Sequence, residues 1–102
     1  MAGLEELTER IARAVAAGEP LPHTVKLDLK GDGVIHIDGR HVSNDDAPAD
    51  LVVTISLSDL KALGKRRLDP MTALMSKRMR MSDMGLAFSM QSKIQSLFAQ
   101  AA

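Results

Sequence analysis

Six of the seven methionines, Met71, Met75, Met79, Met81, Met84 and Met90, fall within a stretch of twenty residues. Methionine is unbranched and polarisable, so such a group suits the wall of an irregular apolar cavity as well as ordinary core filling. Seven bases crowd the same region: Lys61, Lys65, Arg66, Arg67, Lys77, Arg78 and Arg80. A basic rim beside a soft apolar surface fits an amphiphile with an anionic head, or docking on anionic lipid, with Lys65, Arg66, Arg67, Lys77, Arg78 and Arg80 as the contacting cations. The alternative is a solvated face whose bases pair with acids elsewhere in the chain.

His36 and His41 flank Asp38 and Gly39, a two-residue hairpin signal. That loop would set Ile35 against Val42 and His36 against His41, close enough for both rings to reach one metal ion. Two ligands do not make a site, and this face of the ribbon points away from Ile35 and Val42 and is expected to be wet. No metal is expected. His23, between Pro22 and Thr24, reads as a loop residue.

The catalytic templates are absent: there is no G-x-S-x-G elbow, no phosphate-binding P-loop and no H-E-x-x-H. Gly31 and Gly33 lie between two strand patterns, where a turn accounts for them. Asp28, Asp38 and Asp50 have no apolar neighbourhood that would raise a carboxyl pKa for acid catalysis. The chain reads as a non-enzyme with no catalytic residue and no cofactor.

With 102 residues there is room for one domain. Thirteen Lys and Arg balance thirteen Asp and Glu, which excludes a generally basic nucleic-acid binder. Two Phe with no Trp or Tyr also leave no stacking platform for single strands, so no nucleic acid is expected as a partner. The balance is local as well as global: residues 1–58 carry five bases and ten acids, and residues 59–102 carry eight and three. Without cysteine there is no disulfide framework or thiol chemistry. Acidic residues Glu5, Glu6 and Glu9 stand where a signal peptide would be basic, and no apolar run is long enough for a membrane span, so a cytoplasmic location is expected.

The elements that must position these residues follow from periodicity. Leu4, Leu7, Ile11, Ala14 and Val15 form a helical stripe, stopped by Gly18 and Pro20. Val25, Leu27 and Leu29 alternate with Lys26, Asp28 and Lys30 as a half-buried strand. A second strand spans Val34 to Ile37 and a third runs from Arg40 to Ser43, giving a meander. Residues 44–50 are a polar crossover, and residues 51–56 (LVVTIS) suit a central strand. Ser56 with Asp59 opens a short helix that Gly64 ends, and Asp69-Pro70 opens another. Met79 and Met81 alternate with Arg78 and Arg80 as a short strand. Asp83 caps one last helix in which Leu86, Met90, Ile94 and Leu97 share a face. The order predicts an α+β fold with helices gathered on one face of a sheet.

The runs GVIHIDGR (33–40), SLSDLKAL (56–63), LDPMTALMS (68–76) and DMGLAFSMQ (83–91), with Leu97 and Phe98 beyond, make residues 20–98 resemble the sterol carrier protein 2 (SCP2) family. The most specific parts are DPMxAxM and MGLAxxxQ, in this order. The resemblance implies a single SCP2-like domain over residues 20–102 preceded by an N-terminal helix over 1–19. It implies a five-stranded, mixed but mostly antiparallel sheet with helices on one face, enclosing a hydrophobic tunnel. It further implies promiscuous binding of fatty acids, acyl-CoAs, phospholipids or sterols without chemistry on them. By position, Met71, Leu74 and Met75 match the helix beside the tunnel, Met84, Leu86 and Ala87 the helix that closes it, and Gln91 a polar residue looking inward. Lys77 and Ser82 stand where the family pattern has glycines.

The methionine cluster and the resemblance together predict a cavity bounded by Val53, Ile55, Leu74, Met75, Met79, Met81, Met84, Phe88, Met90, Gln91 and Ile94. Three functions are compatible with this reading. The first is intracellular lipid binding and transfer. The second is an accessory protein that presents a hydrophobic intermediate, such as a quinone precursor, to a membrane-associated enzyme partner. The third is a dimerisation module whose methionine-rich face meets another chain.

Overall fold

The computed structural model describes residues 3–18 and 20–99. The first helix, α1 (Leu4–Ala17), buries Leu7, Ile11 and Val15, the stripe that a period of 3.6 residues aligns. A meander of β1 (Val25–Asp28), β2 (Val34–Asp38) and β3 (His41–Ser43) follows. The chain then crosses over so that β4 (Leu51–Ile55) lies parallel to β1, and β5 (Met79–Met81) pairs antiparallel with β4. The five strands run in the order β3-β2-β1-β4-β5. β4 is thus an internal strand, as its apolar composition requires.

Between β4 and β5 stand α2 (Leu57–Gly64) and α3 (Pro70–Met75), and α4 (Met84–Ser89) and α5 (Gln91–Ala99) complete the chain. Val25, Leu27, Ile35, Ile37, Leu51, Val53, Ile55 and Met79 all leave the sheet on one face and are almost wholly excluded from solvent. The paired registers Leu27–Val53, Val53–Met81 and Ile55–Met79 keep this face continuous from strand to strand. Leu60 and Leu63 of α2 and Ile94, Leu97 and Phe98 of α5 join the same core.

Local chemistry explains where the helices begin. Ser56 Oγ accepts the Asp59 N–H at 3.1 Å, Asp69 Oδ2 accepts the Thr72 N–H at 3.2 Å, and Asp83 Oδ1 accepts the Leu86 N–H at 3.0 Å. Each satisfies one of the orphan donors of a first turn. The ends depart from expectation. Gly64 is still helical, and the left-handed position that turns the chain falls on Arg66, at φ 59°. The last helix is two: the backbone breaks at Met90, φ −109° and ψ 19°. Ser89 Oγ donates to the Leu86 carbonyl at 2.8 Å, a bond of the kind that bends helices where it competes with the backbone ladder.

The β2–β3 hairpin also differs from its reading. Its loop is Gly39-Arg40, with Gly39 at φ 61° in the first central position, as a II′ turn requires. The pairing is therefore shifted by two residues: Val42 faces Ile37, His36 faces Ser43, and His41 faces Asp38. The two histidines do not oppose each other. Nor is the outer face wet at His36, which is 7% exposed. The crossover loop 44–50 folds over it, held by Lys26 Nζ to Asp46 Oδ1 at 2.8 Å and by His36 Nε2 to the Pro48 carbonyl at 3.0 Å.

Lys77 and Ser82, at the two ends of β5, differ in backbone conformation. Lys77 takes the left-handed conformation at φ 64°. Ser82 has no positive φ and instead extends the ladder.

Candidate functional site

Helix α3 packs against β5, and α4 and α5 meet at Met90, leaving an apolar cleft among them. From the strand come Met79 and Met81, whose side chains share the inward face because Arg80 between them points the other way. From α3 come Pro70, Met71 and Leu74, and from α4 Met84, Ala87 and Phe88. Gln91, Ile94, Gln95 and Phe98 complete the wall from α5, one side of a helix at spacings of three and four.

Seven of the eleven residues expected to bound a cavity line this cleft: Leu74, Met79, Met81, Met84, Phe88, Gln91 and Ile94. Four do not. Val53 and Ile55 lie fully buried in the sheet, under other side chains. Met90 is buried at the helix break, and Met75 is 80% exposed. The residues that sequence reasoning omitted are Pro70, Gln95 and Phe98, with Met71 and Ala87 known only by their matched helices. Gln95 and Phe98 were signalled by their spacing of four from Gln91 and Ile94. Gln91 is exposed and sits on the cleft wall at the start of α5 rather than inside a closed chamber.

The cleft has a volume of about 90 Å³, roughly three waters' worth of space, while pockets for drug-sized ligands run from about 300 Å³ upward. It is a partly closed mouth and not an enclosed tunnel. Its rim is unusual for a protein surface. The exposed large hydrophobics among the described residues are Met71, Met75, Met84 and Phe88. All four stand on α3 and α4, and three of them line the cleft. No titratable side chain does: the polar groups on the wall are the amides of Gln91 and Gln95. The arrangement can shield an apolar chain from water, but it brings no acid, base or nucleophile to it.

All six bases singled out in the sequence are exposed, and none is ion-paired with a described residue, unlike Arg10, Arg13, His23 and Lys26. They come from three places in the fold. Lys65, Arg66 and Arg67 occupy the α2–α3 connection, and Lys77 and Arg78 the α3–β5 turn. Arg80, opposite Thr54, leaves the sheet on the face away from the cleft. Among the described residues no three acids or histidines converge on a point where a metal ion could sit. None of the described helices is long and apolar enough to cross a membrane.

The sheet and its helices have counterparts in solved structures. The chain aligns with the crystal structure of sterol carrier protein 2 like 2 from Aedes aegypti at a TM-score of 0.72 and 25% identity, covering 85% of this chain and 92% of that one. The solution structure of sterol carrier protein domain 2 of Helicoverpa armigera shares the fold at a TM-score of 0.52 and 23% identity, covering 97% of this chain and 76% of that one. A comparison with curated proteins gives no significant match. The family model described as the SCP-2 sterol transfer family matches residues 2–95, from the first helix into the last. With nearly the whole chain matched and the same five-stranded framework beneath the cleft, the protein belongs to the SCP-2 sterol transfer family.

Proposed function

We propose that this protein binds and carries lipids, taking an acyl chain or similar apolar segment into the cleft between α3, β5, α4 and α5, without catalysis. The observation that carries this reading is the gathering of Met71, Met84 and Phe88, all exposed, around an apolar cleft with no titratable group on its wall. Leaving such side chains in water is unfavourable by about 25 cal/mol per Å² of apolar surface, and a ligand that covers them recovers that term. A chain of about sixteen carbons buried at about 0.8 kcal/mol per CH₂ would gain on the order of 10 kcal/mol before ordering costs, enough for micromolar affinity without a special polar contact. Such a chain exceeds the present cleft, so binding requires α4 and α5 to open, and the break at Met90 between them is where the backbone can hinge.

The test is displacement of a fluorescent fatty acid, together with native mass spectrometry of the purified protein. A co-purifying lipid and saturable displacement by natural lipids are expected, and the double substitution Met84→Ser, Phe88→Ser should weaken binding by about tenfold while the buried core stays intact. A ligand-free dimer that binds no probe would replace this reading with the dimerisation module.

A further inference from the structure

A second groove, of about 380 Å³, runs beside the cleft between the α2–α3 connection and the C-terminal part of α5. Pro70, Gln95 and Phe98 line both, so the two lie side by side and share a wall. Their chemistry differs. Where the polar residues lining the cleft are Gln91 and Gln95, the groove is lined by two charged residues, Arg66 and Asp69. Asp69 is already engaged as the cap of α3 through the Thr72 N–H. Arg66 has no ion-pair partner among the described residues. Its backbone is pinned at φ 59° by the Arg66 N–H to the Leu63 carbonyl at 3.1 Å and the Arg67 N–H to the Ala62 carbonyl at 2.8 Å. Of the six bases noted in the sequence, it alone lines the groove beside the cleft.

We propose that cleft and groove are two parts of one site for a single-chain amphiphile, with the acyl tail on the methionine wall and a phosphate-ester head at Arg66. This rests on the lipid-binding reading above. A guanidinium presents a fork of donors that matches phosphate oxygens. The groove holds roughly a dozen water volumes, far more than a bare carboxylate fills, which favours the larger head. Leu63, Leu68 and Phe98 continue an apolar floor into the groove, so the first carbons of the tail can lie there and need not enter the smaller cleft.

The test displaces an anthroyloxy-labelled stearic acid from the full chain with palmitoyl lysophosphatidic acid and with monopalmitoylglycerol, both below their micelle concentrations. The two differ only in the phosphate. The wild type is expected to prefer the phosphate ester by about tenfold, the scale of one charge-assisted contact. Arg66→Gly suits the positive φ, so the fold should be kept and the melting temperature should not fall. It is expected to bring the two ligands within about twofold of each other, leaving monopalmitoylglycerol unchanged. Lys30→Gly, which removes a cation at another positive φ in the β1–β2 turn, is expected to keep the preference. Three results would each overturn the inference: a preference that survives in Arg66→Gly, its equal loss in Lys30→Gly, or displacement by glycerol 3-phosphate as effective as by the lysolipid. A wild type that binds probe and monopalmitoylglycerol but shows no phosphate preference would refute this inference alone. One that binds no probe at all would refute the lipid-binding reading beneath it.

Discussion

His36 Nε2 lies 3.0 Å from the carbonyl oxygen of Pro48, and this bond ties strand β2 to the loop that carries the chain from β3 to β4. A carbonyl can only accept, so the ring must carry its proton on Nε2. The imidazole is the buried polar side chain among the described residues, and its burial is what the crossover loop accomplishes on the outer face of the sheet.

Replacing His36 with Leu keeps an apolar body of similar size and removes the donor. We expect a loss of about 1 kcal/mol from the missing bond and the stranded carbonyl. Amide hydrogen exchange in residues 44–50 should rise while the strands keep their protection. Unchanged exchange in that loop would show that it is held without His36, by Lys26–Asp46 and by the Asp50 N–H donated to Thr24 Oγ1 at 2.8 Å.

Ser82 Oγ accepts the Val52 N–H at 2.9 Å and the Ser82 N–H donates to the Val52 carbonyl at 3.0 Å. One residue thus closes the end of the β4–β5 ladder with both its backbone and its side chain. Ser82→Ala should cost about 1 kcal/mol, measured by urea denaturation, and Ser82→Thr, which retains the hydroxyl, should recover most of it.

Lys77 holds φ at 64°, a conformation that costs an L-residue roughly 1–2 kcal/mol and glycine almost nothing. Part of that gain is lost again because glycine makes the unfolded chain more flexible. The net expectation for Lys77→Gly is a stabilisation of up to about 1 kcal/mol, or a rise of a few degrees in the melting temperature. A fall in melting temperature would mean that the lysine side chain stabilises the turn by contacts that outweigh the strain.

Gln91 is exposed at the edge of the cleft, so removing its amide strands no buried partner. Gln91→Leu should shift stability by no more than about 0.5 kcal/mol and leave affinity for a plain fatty acid equal or slightly higher. Loss of all ligands in that variant would mean that the amide turns inward once the cleft opens.

The exposed bases should attract anionic bilayers, each contributing up to about 1 kcal/mol near the surface and less at high salt. Co-sedimentation with phosphatidylserine vesicles should fall with salt and should be weaker for Arg67→Gln than for Arg80→Gln, because Arg80 points away from the cleft face. Equal weak binding to neutral and anionic vesicles would return these residues to the role of a solvated surface.

The elements were legible where one short-range rule governs them. Val25, Leu27 and Leu29 alternate with polar neighbours, and a period of two leaves only one face for the core. Ser56, Asp69 and Asp83 cap the helices they were expected to cap, since a side-chain oxygen three residues before a free N–H is a local bond. The family motifs, too, lie in contiguous runs and carry the order of the fold with them. What the tertiary structure decided involves choices between near-equal local options. The segment Asp38-Gly39-Arg40 contains two overlapping two-residue loops, both keeping Ile37 and Val42 on the core side, and pairing against β1 and the crossover loop selects the second. Met71 and Met75 lie one turn apart on a six-residue helix, too short for its period to say which is covered. Packing against β5 places Met71 on the cleft wall and leaves Met75 in solvent. Gln91 follows a break at Met90 that shifts the phase of everything after it. Only the arrangement of α3, β5, α4 and α5 could bring Met71, Met81, Phe88 and Phe98 to one cleft, because no spacing along a chain encodes the distance between two elements that meet only after folding.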